Sequence, residues 1–304
     1  MPKTLLIAAD VGAGLIERLR GDARFEARVQ PVRTEDELAA IVGDAQVLVT
    51  RAYNRVTRRV IEAAPRLELI AQGTSGTDNI DAEAARERGV AIASLPGANA
   101  NAVAELVIGF IISMTRTVPL YTRDVARGVF HRDDCATRHE MHHYSLGIVG
   151  LGQVGSRVAR LARAFGMTVR AYDPYITAFE NAERVDSLAS LLARSDILTL
   201  HVPLTAETRK LIGAGEIAAL KRGSYLINAA RGEVLDQQAA LDALQSGHLA
   251  GLALDVFDPE PPYGTFPDDP RLLLTPHIGG CSFECKADIS ALLYEKIDAF
   301  YTTR

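Results

Sequence analysis

Three side chains in the last quarter of the chain are of types that can work together: Arg231 in NAARG, Glu260 in DPEPP and His277 in TPHIGG. A guanidinium is a rigid planar fork that takes a carboxylate in two parallel bonds, and Gly232 frees the backbone beside Arg231. Glu260 is stiffened by Pro259, Pro261 and Pro262, and a carboxylate held in this way suits the orienting of a histidine. His277 brings the side chain that titrates near neutrality, as the proton acceptor in an alcohol oxidation must. Taken singly, each residue has a plainer reading: a surface arginine, a loop acid, a capping histidine.

An alcohol oxidation would also need a hydride carrier, and the stretch from Ser145 to Asp173 reads independently as a dinucleotide site. Leu146, Ile148 and Val149 form a short apolar run of buried-strand type, followed at once by Gly150, Gly152 and Gly155 in GxGxxG spacing. Val154, Val158, Leu161, Ala162 and Phe165 then recur at helical spacing, and 168–172 is again apolar and β-branched. The first glycine permits the tight turn, the second lets a pyrophosphate approach, and the third lets the helix pack close to its strand. The free N–H groups at the helix start favour phosphate. Asp173 ends the second strand, where a carboxylate accepts the adenosine ribose hydroxyls and repels a 2′-phosphate. The expected cofactor is therefore NAD rather than NADP. Gly12-Ala13-Gly14 also follows a strand pattern but lacks the third glycine, and it reads as a plain turn.

The elements around these residues alternate. Strand patterns at 5–8, 47–50 and 67–70 are interleaved with helical ones at 15–19, 37–42 and around Ile61, which implies a parallel sheet with crossover helices. The loop 72–79 is built of small and polar residues whose N–H groups can face an anion. An apolar helix pattern covers 99–117, with Pro119 expected to kink or end it; it reads equally as buried linker or subunit interface. After the glycine unit, strands at 197–200, 224–227, 249–254 and 272–274 alternate with helices at 188–192, 216–220 and 237–244, and 282–300 is helical. This second doubly wound sheet gathers His201-Val202-Pro203, the NAARG turn, Asp255 and His277 at its carboxyl edge, where such sheets bind ligands.

A length of 304 residues suggests about two domains. A net charge of −5, with no basic block, argues against nucleic acid. The apolar run near the N-terminus is too short for a signal sequence, and no uninterrupted apolar span has membrane length, so a cytoplasmic protein without membrane contact is expected. Cys135, Cys281 and Cys285 form no CxxC and read as reduced structural thiols. His131, His139, His142 and His143 match no closed zinc site, so a solvated loop and no metal are expected.

In order along the chain, GTSGTDNID (73–81), AVAELVIGF (102–110), GIVGLGQVG (147–155) with Asp173, LHVPLTAET (200–208), INAARGEV (227–234), ALDVFDPEPP (253–262) and TPHIGG (275–280) resemble the signatures of the D-isomer-specific 2-hydroxyacid dehydrogenases. The resemblance covers nearly the whole chain. It implies an α/β protein of two doubly wound parallel-sheet domains. One, 97–282, is a NAD-binding Rossmann domain; the other, 1–96 with 283–304, is a discontinuous, flavodoxin-like substrate domain. It also implies that Arg231, Glu260 and His277 are catalytic, and that Ser75 and Gly76 receive the substrate carboxylate while Arg51 stands where some members hold a second anionic group. The cofactor contacts it implies are Gly150, Gly152, Gln153, Val154, Gly155, Asp173, His201, Val202, Pro203, Ala229, Ala230, Arg231, Asp255, His277, Gly279 and Gly280, and it implies a homodimer built around 99–144.

The sequence departs from the family pattern at three places. Gln153 stands where arginine is common, so one phosphate charge is less well met; Thr74 replaces a usual glycine, which narrows the substrate loop; and 139–145 lacks the familiar glycine and lysine. None touches the trio. The alternatives on the same scaffold are a phosphite-type dehydrogenase and a non-catalytic, NAD-sensing corepressor-like protein; Glu260 speaks against a formate enzyme. Asp173 makes the cofactor preference measurable: kcat/KM with NADH should exceed that with NADPH by at least about tenfold, because a phosphate against a carboxylate costs more than about 1.4 kcal/mol. Asp173→Ser should narrow the gap, and equal use of both cofactors by the natural protein would contradict the assignment.

Overall fold

The computed structural model describes residues 1–304 except Asp134, Thr137, Tyr263, Thr303 and Arg304. The chain forms two compact units, one of Met1–Asn99 with Cys281–Arg304 and the other of Ala100–Gly280.

In the first unit the order is β1 (Lys3–Ile7), α1 (Ala13–Arg20), β2 (Phe25–Val29), α2 (Glu35–Ile41), β3 (Val47–Thr50), α3 (Arg58–Glu62), β4 (Leu69–Gln72), α4 (Ala82–Glu87) and β5 (Ala91–Ala93). The strands pair in parallel in the order β2-β1-β3-β4-β5, the flavodoxin-like arrangement. Leu6, Leu38, Leu48, Ile61 and Ile70 fill its core with no exposed surface. Both faces of β3 and β4 are covered, which is why those strands read as apolar runs, each ending in one buried polar residue, Thr50 or Gln72. Gly12, read as part of a plain turn, is instead the first residue of a helix cap, with φ of 88° and α1 starting directly after it.

The second unit opens with α5 (Ala100–Thr115) and α6 (Val118–Ala126), followed by β6 (Ser145–Val149), α7 (Gln153–Ala164), β7 (Thr168–Tyr172), β8 (Glu183–Arg184), α8 (Leu188–Arg194), β9 (Ile197–Leu200), α9 (Ala214–Ala218), β10 (Ser224–Asn228), α10 (Gln237–Gln245), β11 (Leu249–Leu254) and β12 (Leu272–Leu274). The seven strands pair in parallel in the order β12-β11-β10-β9-β6-β7-β8. The chain thus leaves β6 first toward β7 and later toward β9, and the gap between those two directions is the switch point at which such sheets bind dinucleotides.

The apolar helix at 99–117 is core in this unit: Val103, Val107, Phe110, Ile111 and Met114 of α5 are buried in one cluster with Leu146, Ile148, Val158 and Val169. The bend comes where Pro119 predicts it, with Thr117 in the left-handed region at φ 56° and Pro119 in the first turn of α6. Among the described residues no single helix is long and apolar enough to cross a membrane; α5 and α6 meet that test only together, as a pair bent by 61°.

The last helix, α11 (Phe283–Thr302), belongs to the first unit. Buried Ser290 accepts the Leu15 N–H at 2.8 Å and donates to the Val11 carbonyl at 2.9 Å. The Tyr294 and Tyr301 hydroxyls donate to Asp22 and Glu68.

The β6–α7 joint tolerates little. A Cβ on Gly155 would stand 2.2 Å from the Gly150 carbonyl oxygen, and Gly150 itself has φ 88° with the His201 carbonyl 2.8 Å from where its Cβ would be. Backbone atoms cannot step aside as a flexible side chain can. Gly155→Ala should therefore cost about 1–3 kcal/mol, seen as a lowered Tm, and should weaken NADH binding because α7 is pushed off the turn. A variant with unchanged Tm and NADH affinity would contradict the close-packing role.

Candidate active site

The glycine turn is shaped for a dinucleotide. Nothing lies within 4 Å of where a Cβ on Gly152 would be, so that face stays open, and Gly152 caps α7 with no side chain between the helix start and a bound phosphate. Asp173, just past β7, accepts the Leu151 N–H at 2.8 Å and the Tyr175 N–H at 2.9 Å, one on each carboxylate oxygen. The carboxylate is therefore aimed before any ribose arrives, with lone pairs to spare for hydroxyl donors.

On the other side of β6, His201 leaves β9 with its N–H donated to the Val149 carbonyl and its Nε2 3.0 Å from the Thr199 hydroxyl. Burial of the ring pushes its pKa down to about 3, so it remains neutral at physiological pH. The Pro203 carbonyl is fixed by the Thr208 hydroxyl, and Val202 packs against the buried cluster under β9. The tips of the two loops meet where the Tyr175 hydroxyl donates to Glu207 at 2.7 Å.

Gln153 leaves a place without the positive charge that arginine would bring, yet charge is close by. The Arg157 guanidinium, one turn along α7, donates to the Gln153 carbonyl at 2.8 Å and to its side-chain oxygen at 2.9 Å. An arginine on the exposed side of a helix gives no signal of this in the sequence.

The trio lies at the carboxyl ends of neighbouring strands: Arg231 follows β10, Glu260 follows β11 and His277 follows β12. His277 Nδ1 and Glu260 Oε1 are 2.6 Å apart, both partly exposed. Arg231 is set by a turn around buried Asn228, which takes the Ala230 N–H on its side-chain oxygen and donates to the Arg231 carbonyl at 2.9 Å. Gly232 is required there, since a Cβ would lie 1.8 Å from the Phe257 carbonyl oxygen. This close crossing joins the turn that carries Arg231 to the chain that runs on to Glu260.

Asp255 has a role that its place in the sequence pattern does not disclose. It is buried, and its carboxylate accepts the Thr275 hydroxyl at 2.6 Å, the Ile278 N–H at 2.8 Å and the Gly279 N–H at 2.8 Å. These bonds clamp the turn on both sides of His277, whose φ of 55° is unusual for a side chain of its size. Expected as a cofactor contact, Asp255 is thus also the support of the histidine; Gly279 and Gly280 complete that turn, and a Cβ on Gly279 would meet Asp255 Oδ2 at 2.9 Å.

Arg51, Ser75 and Gly76 belong to the first unit. The Arg51 N–H donates to Asn54, and Ser75 Oγ accepts the Gly97 N–H and lies 3.1 Å from the Leu95 carbonyl. His131, His139, His142 and His143 are exposed, as in a solvated loop. A 3-10 turn at Met141–His143 brings one ligand atom each of Glu140, His142 and His143 within 4.8 Å of one another, beside a cavity of about 260 Å³ lined by Arg116, His139 and Phe165.

Known proteins resemble this chain in sequence and fold. The D-3-phosphoglycerate dehydrogenase of Methanocaldococcus jannaschii is 39% identical over 90% of this chain and 53% of its own length. The hydroxypyruvate reductase of Thermotoga maritima is 36% identical over 86% of this chain and 87% of its own. The D-lactate dehydrogenase of Aquifex aeolicus, solved with NAD and lactic acid, superposes with a TM-score of 0.86 at 26% identity, over 99% of this chain and 96% of that one. The chain spans only about half of the length of several phosphoglycerate dehydrogenases it matches, from 50% to 56%. Residues 108–279 match the NAD binding domain of the D-isomer specific 2-hydroxyacid dehydrogenases, and with a clamped histidine–glutamate pair at the end of a dinucleotide sheet, the chain belongs to that family.

Proposed function

We propose that the chain transfers a hydride between the nicotinamide of NAD and C2 of a D-2-hydroxy acid or the corresponding 2-keto acid. The observation that carries this reading is the 2.6 Å bond between His277 Nδ1 and Glu260 Oε1, on strands next to that of Arg231. With Nδ1–H donated to Glu260, the lone pair on Nε2 is the basic one. His277 takes the hydroxyl proton there as the alcohol is oxidised and returns it in reduction, while the Glu260 carboxylate stabilises the imidazolium between those events. The Arg231 fork suits the substrate carboxylate. When bound, NAD supplies the hydride acceptor, and the chain's part is orientation and charge.

In this reading the substrate half is 1–96 with 283–304 and the cofactor half is 97–282. The substrate is a small keto acid such as glyoxylate, hydroxypyruvate or phosphohydroxypyruvate. A cytoplasmic homodimer without nucleic-acid or membrane partners goes with it, supported by the net charge of −5 and by the row of exposed apolar side chains Val118, Val125, Val129 and Phe130 on and after α6.

The test is a panel of glyoxylate, hydroxypyruvate, pyruvate and 3-phosphohydroxypyruvate with NADH, with phosphite and NAD as a separate arm. Turnover of at least one keto acid is expected. Turnover of phosphite alone, or tight NADH binding with no turnover of any substrate, would overturn the reading. The pH dependence is a second check. Oxidation needs His277 neutral and reduction needs it protonated, so the oxidation rate should rise and the reduction rate fall with pH through one shared titration. His277→Asn should lower kcat by about 10²–10⁴ and remove that titration from both profiles; an unchanged titration would put the proton carrier elsewhere.

A further inference from the structure

The loop after β4 is held from within by side chains of its own unit. Gln72, the last residue of β4, has no exposed surface. Its side-chain oxygen takes the Thr50 hydroxyl at 2.6 Å, and its amide nitrogen reaches Asn79 Oδ1 at 2.8 Å, Thr74 Oγ1 at 2.9 Å and the Gly76 carbonyl at 3.2 Å. Thr74 accepts from Gln72 and passes its own hydroxyl proton to the same Gly76 carbonyl at 3.0 Å. The Thr74 carbonyl is tied in turn by the Leu95 N–H at 3.0 Å.

Two carbonyls of the loop are thereby fixed by neighbouring groups of this unit. In a trans peptide the N–H points opposite to the carbonyl, so the N–H groups of Ser75 and Thr77 are turned away from the partners of Thr74 and Gly76. Among the described residues, the N–H groups of Ser75, Gly76 and Thr77 donate to no other group of the chain. Successive N–H groups presented in this way form an anion-binding concavity.

We propose that Thr74 is a positioning residue. Its hydroxyl, relayed from buried Gln72, braces the 73–77 loop so that these N–H groups are set for a carboxylate before it arrives. The proposal rests on the hydroxy-acid reading above and assigns the brace to the residue that stands where glycine is usual in the family. A glycine would leave the Gly76 carbonyl without its hydroxyl donor and the loop free to turn its peptides. The brace acts on the binding of the carboxylate rather than on proton or hydride movement, so its loss belongs in KM and not in kcat.

The test uses the full chain, with Thr74→Val as the isosteric variant without a hydroxyl, Thr74→Ala as a second should valine not fold, and Thr74→Ser as the rescue. Oxamate, an unreactive 2-keto-acid mimic, is titrated into the NADH complex and followed by NADH fluorescence. Thr74→Val is expected to raise both the KM of the best keto acid and the oxamate Kd by about five- to tenfold, the worth of one hydrogen bond. Its kcat should stay within about twofold and its NADH Kd unchanged, while Thr74→Ser stays near the natural protein. Thr74→Val with unchanged KM and oxamate Kd would overturn the brace, and so would equal damage in Thr74→Val and Thr74→Ser, which would mark the methyl and not the hydroxyl. If the natural protein binds NADH but neither turns over keto acids nor takes up oxamate, the hydroxy-acid reading itself falls and the brace falls with it; turnover with an unaffected valine variant removes the brace alone.

Discussion

A buried carboxylate must be compensated or it is not kept, and Asp255 is compensated by the turn that carries the histidine. Its bonds to Thr275, Ile278 and Gly279 satisfy the charge and, in doing so, fix a backbone that would otherwise avoid the positive φ of His277. The same necessity that makes Asp255 acceptable inside the protein thus holds His277 at the place where Glu260 can reach it. Positioning of this kind depends on supports of well-defined rotamer as much as on the groups that they hold. Here the support is one carboxylate at the end of β11.

The parallel sheets supply the rest of the constraint. Because each strand runs in the same direction, every strand-to-helix turn emerges at one edge, and residues far apart in sequence are collected there. Gly150, Asp173, His201, Arg231, Glu260 and His277 share that edge through topology. Gly155 and Gly232 let the turns approach to distances that any side chain would forbid. Stability and chemistry therefore compete for the same few positions, and glycine occupies those where backbone must touch backbone.

What could be read in the sequence followed burial. Strands covered on both faces, such as β3, β4, β9 and β10, have every residue buried and are mostly apolar, and helix α7 has a clear apolar stripe. The strands that the sequence pattern does not disclose, β2, β5 and β8, lie at the edges of their sheets; β2 has one buried residue, and β5 and β8 none, so a run of alternating apolar type never develops. The break before Pro119 was legible because proline acts on the chain locally. Support residues were not, since a buried glutamine or asparagine at a strand end carries no periodic signal: Gln72 and Asn228 are informative only once their partners are known. The convergence of Glu140, His142 and His143 was hidden for a related reason, because a tight turn brings together neighbours that linear spacing treats as a plain polar stretch.

The attachment of α11 to the first unit also bears on how the protein is made. The Leu15 N–H and the Val11 carbonyl are both satisfied by the Ser290 hydroxyl. Until residue 290 has left the ribosome, the first nine elements have an unfinished layer, with main-chain polar groups at and just before the start of α1 awaiting a partner. The second unit, from Ala100 to Gly280, is contiguous and waits for nothing that follows it. In a chain synthesised from its N-terminus, the half that emerges later can reach its final packing before the half that emerges first, and the nascent N-terminal sheet is the portion most exposed to premature partners during that interval.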